Sequence, residues 1–139
     1  MRVAVVGAGV AGLTFAAAMR KFAPAVEVAL YERDASADAR PEGYGLGLRG
    51  DAGLLVLKRL ELYGDIAPAA VTIANFVILD QRGKHLLDLP AASDERRRTE
   101  RVARARLKAV LRAAAPQAAT AFARPVVDYA QSDDRVEFR

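Results

Sequence analysis

The chain has 139 residues, with 21 basic and 17 acidic side chains and a formal net charge of +4. It contains no cysteine and one histidine, which excludes disulfides and thiolate chemistry and disfavours a histidine-based zinc site or catalytic triad. The length predicts one domain, no apolar run approaches the length of a membrane span, and a strand that begins directly after Met1 leaves no room for a signal peptide. Together these features predict a cytoplasmic protein without a resident metal.

The positive charge is concentrated in the last third of the chain. Residues 1–95 carry 10 basic and 12 acidic side chains, whereas residues 96–139 carry 11 and 5. No aromatic residue is interleaved with the arginines that follow Arg96, so we expect no stacking platform for nucleic acid. The pattern favours a solvated loop and a helix that begins beside an anion.

The first dozen residues hold the strongest motif. Four apolar residues, Val3–Val6, predict a strand buried on both faces, and the Ala-rich segment that ends at Phe22 predicts a helix. Between them stands Gly7-Ala8-Gly9-Val10-Ala11-Gly12, in which the three glycines permit a tight turn, backbone approach to a pyrophosphate and close packing of the helix on the sheet. A diphosphate would bind to free N–H groups at the positive end of the helix dipole.

The second apolar run, residues 26–31, ends at Glu32, twenty residues after Gly12. A dinucleotide-binding fold places at this distance the carboxylate that accepts hydrogen bonds from the adenosine ribose. The alternative is a glycine-rich turn that binds nothing, with Glu32 as a solvated strand end. We interpret this region as a βαβ unit in which residues 2–6 and 26–31 pair in parallel through the helix at 10–22, and we expect residues 118–123 to lie parallel beside 26–31.

The middle of the chain predicts smaller elements. Residues 33–43 indicate an extended polar connection, and the alternation of apolar residues with glycine over Tyr44–Gly50 predicts a strand against which another backbone or a flat ligand lies closely. Asp51 is positioned to cap a leucine-rich helix, which is ended by Gly64 or by the segment to Pro68.

A hairpin follows this helix. Its strands are predicted over 72–79 and 84–89, with Gly83 in the left-handed position of the turn, and His85 is expected to face solvent. Residues 90–98 indicate a polar loop, and the last strands are predicted over 118–123, 126–130 and 135–138.

The stretch Val102–Ala114 predicts an amphipathic helix. Arg101, Arg104 and Arg106 crowd its N-terminal end, where the macrodipole disfavours cations. Two explanations remain open on these grounds: a bound anion near Arg104, or an ordinary basic face exposed to solvent.

These motifs together resemble a known family. The glycine motif, Tyr31-Glu32-Arg33 after the second strand, the leucine-glycine strand and the later Arg104-x-x-Leu107-x-x-x-Leu111 helix resemble the FAD-binding half of the p-hydroxybenzoate hydroxylase-like flavoprotein monooxygenases. Residues 31–48 are most similar to the branch with the tetracycline-inactivating and antibiotic-tailoring oxygenases. The resemblance implies an α/β fold: a three-layer Rossmann-like FAD-binding domain over residues 1–139 with a parallel sheet and a β-hairpin insertion.

The resemblance also implies a cofactor and its contacts. FAD would bind with its diphosphate on Gly7–Gly12, its ribose on Glu32 and its adenosine beside Arg33, while Arg104 would reach the diphosphate and Arg49 would lie near the flavin. In this family NAD(P)H reduces the flavin, which then transfers one oxygen atom from dioxygen to a small aromatic or polyketide-like substrate. The look-alikes carry an acidic residue at Gly47 and a histidine at Arg49, so a tetracycline is not assumed as substrate, and no general acid, base or nucleophile is named.

The resemblance finally predicts what this chain lacks. The family's later Asp-Gly and Gly-Asp motifs and its substrate domain are not found before Arg139. We therefore expect an N-terminal portion without monooxygenase activity of its own, with self-association through the open edge of strand 3–6. The alternatives are a dinucleotide-binding module without turnover and an NAD-dependent oxidoreductase, for which Glu32 is equally suitable.

Overall fold

The computed structural model describes residues 1–39, 43–90 and 93–139. The chain forms two compact units, one of Met1–Glu42 with Leu111–Arg139 and one of Gly43–Val110. The prediction of one domain is not decided by this division and stays a prediction. No helix in the described ranges is long and apolar enough to cross a membrane.

The first unit is built on a parallel sheet. Its elements are β1 (Arg2–Val6), α1 (Val10–Phe22), β2 (Glu27–Tyr31), β8 (Ala119–Ala121), β9 (Tyr129–Gln131) and β10 (Val136–Phe138). The sheet order is β1-β2-β8, and β2 pairs in parallel with both neighbours. The predicted βαβ unit, and the parallel strand expected after residue 118, are therefore confirmed.

The sheet of the first unit buries less of β1 than the sequence predicts. Residues of β1 alternate between exposed and half-buried, and Val6 is 57% exposed. By contrast, Val28 and Leu30 of β2 are buried, as are Leu13 and the alanines on the inner side of α1. The expectation that β1 is buried on both faces is wrong for this chain. The other described residues do not pack over all of its side chains, so Val6 and its exposed neighbours remain accessible to solvent.

The second unit contains two antiparallel sheets. Its elements are β3 (Leu46–Arg49), α2 (Gly53–Arg59), α3 (Tyr63–Ile66), a 3₁₀ turn (Ala67–Ala69), β4 (Val71–Thr72), β5 (Asn75–Leu79), β6 (His85–Pro90) and β7 (Thr99–Val102). One sheet has the order β3-β7-β4 and the other is the hairpin β5-β6. Helix α4 (Arg104–Ala113) begins in this unit and ends in the first.

The hairpin confirms part of the prediction. Gly83 has φ of +79° in the turn, and His85 is exposed and lies 2.8 Å from a carboxylate oxygen of Asp88. The predicted strand over 72–79 is wrong in extent, because Thr72 pairs with Glu100 of β7 and a new strand starts at Asn75.

Strand β7 was not predicted. The sequence indicated a polar loop to Arg98 followed by a helix from Val102, whereas Thr99–Val102 form the central strand of their sheet and α4 begins at Arg104. Strand β3, in contrast, fits its prediction: a Cβ on Gly45 would lie 2.8 Å from the carbonyl oxygen of Val102, so another backbone does lie close to this glycine.

Candidate functional site

The glycine motif forms the turn between β1 and α1. Gly7 has φ of +97°, which L side chains rarely adopt, and its N–H donates to the carbonyl oxygen of Tyr31 at 2.7 Å. A Cβ on Gly12 would collide with the carbonyl oxygen of Gly7 and lie 3.2 Å from Val5 Cγ1. The roles predicted for Gly7 and Gly12, a tight turn and close helix packing, are therefore visible in the backbone.

Gly9 plays a different part from the other two glycines. It is exposed, has an extended backbone conformation, and a Cβ at this position would meet no atom within 4 Å. The missing side chain is thus not required by packing within the described residues. It leaves open space directly beside the start of α1.

The start of α1 has no side-chain cap. The N-cap residue is Gly9, which has no side chain that could accept a hydrogen bond from the helix, and the first turn contains no acidic residue. The first N–H groups of a helix have no partner inside the helix, so those of Val10, Ala11 and Gly12 are available to an anion. Their alignment with the macrodipole makes this end attractive for a phosphate.

Glu32 lies directly beside the glycine turn. One of its carboxylate oxygens accepts a hydrogen bond from the N–H of Ala8 at 2.8 Å, and the other accepts from the N–H of Asp34 at 3.0 Å. The backbone of Glu32 is held by β8 and the segment after it, since its N–H donates to Ala121 and its carbonyl accepts from Arg124. A carboxylate has about four acceptor positions, so two remain for other donors such as ribose hydroxyls.

Arg33 follows Glu32 and is exposed. The connection after it continues with Asp34, whose carbonyl accepts a hydrogen bond from the N–H of Ala123 at 2.8 Å. The predicted connection runs on through Arg40, which lies outside the described residues. Asp34 was missed as a supporting residue, because no side-chain motif marks a residue that acts through its backbone.

Arg49 and Arg104 belong to the second unit. Arg49 donates to both carboxylate oxygens of Asp51, with Nε at 3.0 Å and Nη2 at 2.6 Å. This pairing raises the pKa of Arg49 and lowers that of Asp51, in each case mainly through the hydrogen bonds. Asp51 therefore does not cap α2 as predicted: the N-cap residue is Ala52, and no side chain caps that helix.

Arg104 is the first residue of α4. Its side chain is exposed and makes no hydrogen bond or ion pair with another residue in the described ranges, while Arg106 donates to the carbonyl oxygen of Asp65 at 2.9 Å. The placement of Arg49 and Arg104 in one cofactor site with Glu32 stays a prediction.

Comparison with known proteins gives one family model and a curated relative. The model describes an NAD(P)-binding Rossmann-like domain and matches residues 5–42. The relative is the monooxygenase cfoF of Aspergillus candidus, which is 34% identical over 129 residues, covering 84% of this chain and 31% of its own length.

Three solved structures share the fold of almost the whole chain. They are the tetracycline destructase Tet(51) (TM-score 0.69, 23% identity, 99% of this chain and 34% of its own), the p-nitrophenol 4-monooxygenase PnpA of Pseudomonas putida DLL-E4 (0.75, 20%, 97% and 35%), and CtdE in complex with FAD and a substrate (0.74, 19%, 99% and 34%). The chain thus spans about a third of the length of each protein that it matches.

Proposed function

We propose that this chain, a relative of the FAD-containing monooxygenases as its motifs predicted, is their dinucleotide-binding portion and holds FAD. The observation that carries the proposal is the placement of the Glu32 carboxylate on the N–H of Ala8, beside an uncapped helix start and an open Gly9. The Glu32 carboxylate accepts hydrogen bonds, and the N–H groups at the start of α1 donate them. A ribose followed by a diphosphate requires that combination.

The residues present fit the adenosine diphosphate half of FAD. Glu32 would accept from the ribose hydroxyls, and the N–H groups of residues 10–12 would donate to the diphosphate. Arg33 would lie along the adenosine, and Arg104 would add a positive charge to the phosphate site. Arg49 would lie near the isoalloxazine. When bound, FAD would supply the redox chemistry that activates dioxygen, and the protein would orient it and exclude water.

We further propose that the whole protein is an oxidoreductase that hydroxylates a small aromatic or polyketide-like molecule with NAD(P)H and dioxygen. The names of the structural neighbours support this class of substrate, since one is a p-nitrophenol 4-monooxygenase and another is a tetracycline destructase. Gly47 and Arg49 differ from the acidic residue and histidine expected from the resemblance, so a tetracycline is not proposed as substrate.

We also propose that residues 1–139 act as one FAD-binding domain and self-associate through β1. This strand pairs only with β2 within the described residues, and its exposed side includes Val6. An open strand edge next to exposed apolar side chains favours pairing with another chain.

A second candidate, an NAD-dependent oxidoreductase, is favoured by the family model that matches residues 5–42. Glu32 suits either dinucleotide, because both carry an adenosine ribose with free hydroxyls. Parallel titrations with FAD and with NADH, followed by flavin absorbance and by nicotinamide fluorescence, separate the two. We expect FAD to bind and to be weakened in Glu32→Ala; binding of NADH alone would overturn the FAD proposal.

A further inference from the structure

Glu100 is a buried charged residue in the described part of the chain, with 3% exposure. It stands in the middle of β7, with Leu48 of β3 and Thr72 of β4 as its cross-strand neighbours. Burial of a carboxylate costs free energy unless it is paired, and replacement of a buried ion pair by apolar residues is often neutral or stabilising. Stability alone therefore does not explain a buried carboxylate at this position, and its contacts with neighbouring side chains indicate a second role.

Two side chains hold the Glu100 carboxylate. Arg98 Nη2 lies 2.8 Å from one oxygen, and the Tyr63 hydroxyl lies 3.0 Å and 3.2 Å from the two oxygens. The hydrogen bond to Glu100, helped by burial, raises the pKa of Tyr63. Arg98 Nη2 also donates to Thr72 Oγ1 at 3.0 Å, so its guanidinium is fixed from two strands.

The backbone next to Arg98 holds the turn after β3. The carbonyl of Arg98 accepts from the N–H of Gly50 at 2.9 Å, and the carbonyl of Arg96 accepts from the N–H of Asp51 at 2.7 Å. A Cβ on Gly50 would collide with the carbonyl oxygen of Glu95, so the two backbones are in direct contact. The position of Asp51 is thus set by residues 95–98.

Asp51 in turn orients Arg49. Its carboxylate accepts two hydrogen bonds from the Arg49 guanidinium, a bidentate arrangement that fixes the plane of the guanidinium as well as its position. A chain of contacts therefore runs from the buried Glu100, through Arg98 and the Gly50–Asp51 backbone, to the exposed Arg49.

We infer that Glu100 is a positioning residue, which sets the orientation of the Arg49 guanidinium through Arg98 and the Gly50–Asp51 turn. The use of Arg49 as a flavin contact rests on the proposed function, but its orientation by Glu100 does not. The inference extends the candidate site to a buried residue that acts through Arg49.

The orientation is tested by NMR of the Arg49 Nε–H in the chain without FAD. In the wild type, the bidentate pair should slow exchange of this proton with water. In Glu100→Gln we expect exchange to be about tenfold faster. The matched control is Glu137→Gln, which breaks an exposed pair with Arg135 of 2.9 Å in the other unit and should leave the Arg49 signal unchanged. If Glu100→Gln does not fold, Tyr63→Phe replaces it in the test. This variant removes only the hydrogen bond from the Tyr63 hydroxyl to Glu100, and it should speed Arg49 Nε–H exchange in the same direction by a smaller factor.

A merely structural role predicts a different result. Glu100→Gln would then lower the melting temperature but leave Arg49 exchange as in the wild type, and this outcome overturns the inference. FAD titration adds a second test: Glu100→Gln should raise the FAD Kd about fivefold, and less than about twofold when Arg49 is already replaced by alanine. Equal effects in both backgrounds would contradict action through Arg49. A wild type that binds no FAD defeats the proposed function and leaves the NMR result to decide the inference.

Discussion

The N–H of Ala8 donates a hydrogen bond of 2.8 Å to the carboxylate of Glu32, across 24 positions of the chain. This bond joins the turn after β1 to the end of β2. Because the second oxygen is held by the N–H of Asp34, the Glu32 carboxylate is fixed in place before any ligand arrives. A fixed acceptor loses less freedom on binding than a mobile one, which favours affinity for ribose.

Replacement of Glu32 tests this arrangement. Glu32→Ala should weaken FAD binding by about 1–3 kcal/mol, because ribose hydroxyls lose their acceptor. Glu32→Gln keeps one side-chain oxygen and should lose less. Isothermal titration with FAD measures both variants. Wild-type affinity in Glu32→Ala would remove Glu32 from the cofactor site.

Two glycines of the motif, Gly9 and Gly12, should separate an effect on FAD binding from an effect on folding. Gly12→Ala puts a methyl group against Gly7 and should lower the free energy of unfolding by about 1–3 kcal/mol. Gly9→Ala meets no atom within 4 Å and should cost less than about 1 kcal/mol, yet it should weaken FAD binding by filling the open space. Urea unfolding and FAD titration of both variants give the comparison. Unchanged FAD affinity in a folded Gly9→Ala would place the diphosphate elsewhere.

The parts of the fold that were predictable follow from strong local patterns. The limits of β1 and α1 could be found because glycines with fixed spacing separate an apolar run from a helical one. Strand β7 could not, since Thr99–Val102 has charged residues at its two central positions, and one of them, Glu100, is buried with a hydrogen bond from Tyr63, 37 positions earlier in the chain. The Glu100 site was missed for the same reason. Local propensity carries no information on a carboxylate that is satisfied by Arg98 and by Tyr63.

Tyr63 should make part of the stability dependent on alkaline pH. Its pKa is raised above the ordinary value, so the folded state binds the phenolic proton more tightly than the unfolded state does. This contribution is fully present below the unfolded pKa of about 10 and is lost as pH rises through the folded pKa. Tyrosinate absorbance should show an ionisation step above pH of about 10, and Tyr63→Phe should remove that step. A single common ionisation in the wild type would contradict the prediction.

Arg104→Ala should have opposite effects on binding and on folding. With FAD present, loss of the guanidinium should weaken binding by about 1–3 kcal/mol. Without FAD, removal of a cation from the first position of α4 should stabilise the chain by about 0.3–1 kcal/mol, because the macrodipole repels it there. The control is Arg82→Ala, an exposed arginine in the β5–β6 turn, which should change neither quantity. Destabilisation without FAD and unchanged FAD affinity would indicate a structural role for Arg104.

The open edge of β1 gives the last prediction, which concerns self-association. Val6 is 57% exposed at the end of an edge strand, and a lysine there should disfavour pairing with a second chain, as charged residues on edge strands do. We expect light scattering to give a mass for the wild type that rises with protein concentration and a constant monomer mass for Val6→Lys. Phe22→Lys, at a position 64% exposed in α1, adds the same charge away from the edge and should leave the association intact. If Phe22→Lys abolishes association as fully as Val6→Lys does, net charge and not the strand edge controls it. A wild type that stays monomeric at every concentration would show that β1 does not recruit a second copy.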